Sequence, residues 1–210
     1  MGVFLLYSKI QLFMNRITFL AISLFALVSV QAQDKSSTIK GKNLGVQFTL
    51  HDYKTATEMR QNGLSGVLAK QQWNKLSRMR PGIALNYTVG LDETFDFNAR
   101  FGFSNLEYTL TNQPFAAGVG PKPYFELDAN LFMKLTNDSY WVSPFLSMGA
   151  GASSWRGYYA AYLPAGAGLQ LNLYDQAFIV LQGQYRLPVT PNASHTLFYS
   201  LGVFGTIGKK

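Results

Sequence analysis

Asp96, Arg100, Glu126, Asp128 and Arg186 share one property: each stands on the polar phase of a segment in which every second residue is apolar. Gln47, Thr49, Asn86, Asn98, Asn130, Gln170, Asn172, Gln182 and Gln184 fall on the same phase. Carboxylates and guanidiniums gathered on one face can pair into a hydrogen-bonded plug or line a narrow ion path. Pairing is the expectation here, because an eight-stranded barrel is only just wide enough for side chains to fill its interior.

Covalent and metal chemistry are poorly supplied. The chain has no cysteine and two histidines, His51 and His195, which leaves no thiolate site and too few ligands for a zinc site. No metal or cofactor is expected. Closure of first and last strands would bring the two histidines near each other. Ser194-His195 is the one nearby nucleophile and base couple, but adjacent residues point apart and no carboxylate is placed to orient the ring. The expectation is a protein without enzymatic activity.

The elements that must position these residues are strands. In the second alternating segment Ile83, Leu85, Tyr87 and Val89 stand opposite Gly82, Ala84, Asn86 and Thr88; in the third, Phe95, Phe97, Phe101 and Phe103 stand opposite Asp96, Asn98, Arg100 and Ser104. Such two-residue periodicity marks strands with one apolar face. Eight segments carry it, at about 43–53, 81–90, 94–109, 123–135, 141–155, 161–174, 177–188 and 196–207, with Leu197, Tyr199, Leu201 and Val203 outward in the last. Pro144 requires a bulge or a strand end in the fifth, because it cannot donate to a ladder. The composition is 14% charged and 15% aromatic, low and high respectively for a soluble domain. The expected fold is an all-β, eight-stranded, antiparallel up-and-down transmembrane β-barrel, an even number as in bacterial single-chain barrels.

Arg16 followed by the apolar run Ile17 to Val30 and the small-residue pattern Val30-Gln31-Ala32 reads as an export signal, too short for a spanning helix. The expected organisation is a signal peptide with an upstream start extension over 1–32, a periplasmic segment over 33–41 and the barrel over 42–210. The strand connections alternate between short polar turns, at Asp92-Glu93, Thr136-Asn137-Asp138 and Asp175-Gln176, and a second set: the long segment Lys54 to Arg80, Asn112 to Lys122, a tip at Arg156-Gly157, and Thr190 to His195. Short periplasmic turns and longer outer loops are the pattern of outer-membrane barrels. Tyr140, Trp141 and Tyr174 at one end, and Tyr108, Trp155, Tyr158, Tyr159 and Tyr162 at the other, are expected to form interfacial aromatic belts. The first long loop holds Lys54, Arg60, Lys70, Lys75, Arg78 and Arg80 against one acid, Glu58. Those cations are contact candidates for lipopolysaccharide phosphates, or they are simply solvated. A short helix over Ala56 to Leu68 is weakened by Gly63 and Gly66. The net charge of +7 does not point to nucleic acid beside an export signal and a membrane pattern. The Asn-x-Ser matches at Asn137 and Asn192 carry no reading.

The signal ending Val30-Gln31-Ala32-Gln33, the strand from Pro81 to Tyr87 and the closing stretch from Ser200-Leu201-Gly202-Val203 to Gly208-Lys209-Lys210 together resemble the OmpA-like eight-stranded outer-membrane barrels, in the form common in Bacteroidetes. The resemblance spans the mature chain and implies a cell outer-membrane protein assembled by the barrel assembly machinery among lipid and lipopolysaccharide. Members often continue into a peptidoglycan-binding domain; no residues here correspond to it, so cell-wall tethering is not carried over. Two terminal lysines in place of a terminal aromatic leave open a truncation of a longer type. The expected role is structural or surface-contacting, with a plugged lumen; a narrow porin-like channel and a soluble lipocalin-like ligand-binding barrel are the rival readings.

Overall fold

A computed structural model describes residues 39–69, 73, 75–106, 121–136, 138–173 and 177–207. Residues 1–32, the stretch expected to be an export signal, together with Lys70, Tyr108, Asn137, Tyr174 and 208–210 lie outside them. The strands are β1 (Asn43–Asp52), β2 (Arg80–Gly90), β3 (Phe95–Leu106), β4 (Lys122–Lys134), β5 (Val142–Trp155), β6 (Tyr158–Leu173), β7 (Ala177–Pro188) and β8 (Thr196–Thr206). Each pairs antiparallel with its sequence neighbours and β1 closes on β8, giving an eight-stranded up-and-down barrel without a free edge. No helix among the described residues is long and apolar enough to cross a membrane.

Because no ladder shifts register, one phase of every strand faces in. On β4 Tyr124, Glu126, Asp128, Asn130, Phe132 and Lys134 are buried while Phe125, Leu127 and Met133 are exposed. The outward phase forms an apolar band in which Val46, Leu85, Phe101, Leu127, Leu181 and Val203 are each 50–61% exposed. Pro144 stands third in β5, near the strand end, and its carbonyl accepts from Leu135 N at 2.8 Å. Pro164 lies within β6, and the β5–β6 pairing lapses opposite Leu163 and Pro164, at Gly149 and Ala150, where the ring supplies no donor.

The β2–β3, β4–β5 and β6–β7 connections lie at one rim with the starts of β1 and the end of β8; we call it the lower rim. Asp92 Oδ1 closes the first of these turns by accepting from Thr94 N and Phe95 N, at 2.7 and 2.6 Å. At the upper rim the β5–β6 link is a two-residue hairpin with Arg156 at φ 52° and Gly157 at φ 82°, the left-handed pair that a type I′ turn demands. β6 therefore begins at Tyr158, three residues before its expected start.

β1 stops at Asp52, and Tyr53 opens α1 (Tyr53–Ala69) instead of ending the strand. Asp52 Oδ1 accepts from Thr55 N at 2.9 Å, an N-cap that starts the helix, and Gly63 (φ 71°) breaks it. α1 packs against β8. Leu197, outward in phase as expected, is consequently covered (7% exposed) rather than part of the open band. A 3-10 turn at Leu76–Arg78 returns the chain to β2, and Arg78 donates to both Glu58 oxygens at 2.9 Å, tying that return to α1.

Candidate functional site: the barrel lumen

The inner face is layered. From upper to lower rim β4 presents Tyr124, Glu126, Asp128, Asn130, Phe132 and Lys134, and β7 presents Arg186, Gln184, Gln182, Val180 and Phe178. Charge, amide, aromatic and charge again follow one another down the bore.

In the upper charged layer the β3–β4 register sets Arg100 opposite Asp128. The two form an ion pair, and Arg100 also lies 3.4 Å from Glu126. Arg186 reaches across from β7 to Glu126 at 2.6 Å and Asp128 at 3.5 Å. Two guanidiniums and two carboxylates thus balance, with every member at most 3% exposed. Pairing offsets part of the desolvation, which otherwise costs several kcal/mol per ion, while Arg100 Nε and Arg186 Nε are buried without a hydrogen-bond partner among the described residues. The Arg100 and Arg186 guanidinium carbons lie 4.0 and 3.8 Å from the centre of the Phe198 ring, a cation–π support for both cations. Tyr162 donates its hydroxyl to Asp128. His51 Nε2 is 3.2 Å from the Ser104 hydroxyl and 3.8 Å from Glu126. Tyr53, Tyr124 and Trp155 cluster above, at the upper mouth, with the His51 ring stacked on Tyr53 at 6.2 Å.

Asp96 does not join this group. It belongs to a lower layer, where Lys40 meets it at 2.5 Å and Lys134 at 3.1 Å; Lys134 also pairs with Asp138 at 2.7 Å. Lys40 falls in the stretch expected to be a periplasmic segment outside the barrel, yet its ammonium enters the lower mouth. There it donates to Gln170 Oε1 at 2.7 Å and lies 4.7 Å from the Phe178 ring centre. Above this layer Phe132, Phe145, Phe178, Val180 and Phe204 pack together, Phe132 on Phe145 at 4.7 Å and Phe178 on Phe204 at 4.8 Å.

Sequence reasoning missed Lys40, Lys134, Asp138 and this aromatic layer. Phase alone marks Lys134 and Phe132, which continue the series Glu126, Asp128, Asn130; the inner face was expected to be polar, so its rings were passed over. The same rule corrects two belt residues. Trp155 continues the inward phase of Ser147 and Ser153, and Tyr162 that of Gly166 and Gly168, so both lie buried in the lumen instead of at an interface. Trp141, Tyr158 and Tyr159 are exposed as expected.

Glycine lets these side chains fit. A Cβ on Gly45 would lie 2.4 Å from the Phe204 ring, on Gly102 2.5 Å from Glu126 Cγ, on Gly168 2.4 Å from the Phe145 ring and on Gly202 2.2 Å from Gln47 Cγ.

The two histidines are not neighbours in function: His51 is fully buried in the bore, whereas His195, on the far side of the wall, pairs through Nδ1 with the Tyr185 hydroxyl at 2.9 Å. No cluster of three metal-ligating side chains occurs among the described residues. Of the loop cations, Arg78 is committed to Glu58 and Arg80 opens β2 opposite His51. Lys54, Arg60 and Lys75 are exposed and carry no ion pair among the described residues.

No protein-family model matches the chain and no curated protein matches it in sequence. Solved structures similar to it include Ail, the attachment invasion locus protein of Yersinia pestis (16% identity, TM-score 0.46, covering 81% of this chain and 99% of that one). The N-terminal β-barrel domain of Pseudomonas aeruginosa OprF (10%, 0.48, 80% and 98%) and Neisserial surface protein A (10%, 0.45, 83% and 100%) are similar to it as well.

Proposed function

We propose that this chain is an outer-membrane β-barrel of the OmpA-like kind, without enzymatic activity, whose plugged lumen leaves its wall and upper rim as the working surfaces. One observation carries this reading: the apolar phase of every strand faces outward around paired charges. A lipocalin-type barrel turns its apolar faces inward around a cavity. In hydrocarbon only helices and closed barrels satisfy every backbone group, and the absence of sheet edges meets that condition. On this reading the lower rim, with its short turns, is periplasmic and α1 lies outside the cell, following the usual pattern of short periplasmic turns and longer outer loops. The export signal and the barrel assembly machinery would bring the chain there, among lipid and lipopolysaccharide. The balanced upper layer and the aromatic layer beneath it speak against a porin-like channel, and a structural or surface-contact role follows. Membrane fractionation with unheated electrophoresis tests this: recovery with outer membranes and a heat-modifiable band are expected, and recovery in the soluble fraction refutes it.

A further inference from the structure

On the outside of the barrel a groove of about 510 Å³ crosses the wall from β5 to β8, bounded by Leu135, Leu146, Ala167, Leu169, Leu181 and Tyr199. Its volume falls in the roughly 300–1,000 Å³ range of small-molecule sites, and its lining on the outward phase is hydrocarbon apart from the Tyr199 hydroxyl. Gly183 and Ala167, register partners on β7 and β6, form its floor. The groove exists because these two lack bulk where their neighbours are leucines.

Above the upper end of this groove stands a group of opposite character. Tyr185 is two residues beyond Gly183 on β7, about 7 Å towards the upper rim. Its hydroxyl bonds His195 Nδ1 at 2.9 Å, with the two rings 5.6 Å apart, which fixes the imidazole and leaves Nε2 for another partner. Arg60 of α1 is exposed and without an ion pair among the described residues, and its charge acts on both His195 and Tyr185. The carboxylate on this side, Asp52, is buried and caps α1. The exposed Arg60 guanidinium and the outward Nε2 of His195 are donors that a phosphate oxygen can accept from.

We propose that this stretch of wall binds one phosphorylated glycolipid of the lipid A type, its phosphate on Arg60 and His195 beside Tyr185 and one acyl chain in the groove over Gly183 and Ala167. The assignment rests on the outer-membrane reading above, which puts the upper rim at the outer leaflet, where headgroup phosphates meet cations and acyl chains run down the wall. Tyr185 and His195 stand on the upper-rim side of Gly183 and Tyr199, the order such a lipid requires.

Native mass spectrometry of the folded barrel released from detergent micelles doped with bisphosphorylated lipid A, phosphatidylglycerol or inorganic phosphate tests it. Gly183→Leu is the informative wall variant, because a Cβ there meets only the Tyr199 ring, at 3.7 and 3.9 Å, so the added chain fills the groove without crowding the barrel. One retained lipid A is expected, reduced about tenfold in Gly183→Leu and in Arg60→Ala/His195→Ala, each equivalent to about one charge-assisted or apolar contact. Lys75→Ala, in the same loop, should retain lipid A as the unaltered protein does. Equal retention by all four proteins, equal retention of phosphatidylglycerol and lipid A, or loss in Lys75→Ala as large as in the double variant overturns the site. A heat-modifiable band is scored in every sample: a folded membrane barrel that holds no lipid A sinks the site alone, whereas a chain that never forms that band sinks the outer-membrane reading.

Discussion

Truncating Glu126 to alanine should cost more than any other single change in the bore. Arg186 loses its 2.6 Å contact and keeps only Asp128 at 3.5 Å, a carboxylate already paired with Arg100. Two buried guanidiniums then share one acid. Removing one partner of a buried pair costs about 3–5 kcal/mol, a large part of the roughly 5–15 kcal/mol by which a folded domain is held. The remedy is specific: Glu126→Met with Arg186→Met removes both charges, leaves Arg100 with Asp128, and should fall between neutral and about 4 kcal/mol more stable than the unaltered protein. Urea unfolding in lipid vesicles, followed by tryptophan fluorescence and unheated electrophoresis, measures both. A loss under about 1 kcal/mol for Glu126→Ala, or a double variant less stable than the single, would refute the claim that these charges are mutually compensated.

Three further outcomes are expected. Gly102→Val should destabilise by about 1–3 kcal/mol or more by overpacking against Glu126, while Gly183→Ala, whose Cβ makes only ordinary contact with the Tyr199 ring, should be within about 0.5 kcal/mol of the unaltered protein in the same assay. Leu85→Arg, outward and in mid-strand, should destabilise the folded barrel by about 2–4 kcal/mol, read as a lower folded fraction in vesicles, an effect absent if that face met water. Burial and then the Arg60 charge push His195 below its ordinary pKa of 6.5. The folded state therefore binds this proton less readily than the unfolded state, so the contribution of the Tyr185–His195 tie is present above 6.5 and is lost as pH falls below it towards the folded value. Ring-proton titration by NMR should place His195 below 6.5, and His195→Ala should flatten the pH dependence of stability in that window; a titration above 6.5 contradicts the geometry.

The barrel was legible in the sequence because a two-residue period assigns each side chain a face, and a register slip would have put Leu85 or Leu127 inside. For the same reason Arg100, Glu126, Asp128 and Arg186 could be gathered by phase alone. What phase could not give was depth. Asp96 shares the face of Arg100 but sits four residues lower, and the relative height of strands depends on how the sheet closes. Lys40 was out of reach because it precedes the alternation. Trp155 and Tyr162 were legible by phase but were read by residue type, as interface aromatics. α1 was hidden by Gly63 and Gly66, which lower helix propensity, whereas its start comes from a single cap at Asp52 and its stability from packing on β8.

The central claim is that the apolar phase faces lipid and the polar phase faces a closed bore. The chain has no cysteine, so spin labels can be placed one at a time at Val46, Leu85, Leu127, Leu181 and Val203 and the labelled barrels reconstituted in bilayers. Collision with oxygen, which concentrates in hydrocarbon, should be high at all five, and collision with a water-soluble nickel complex low. High nickel accessibility along that series would contradict the account, because it would mean that the face assigned to the membrane is wet.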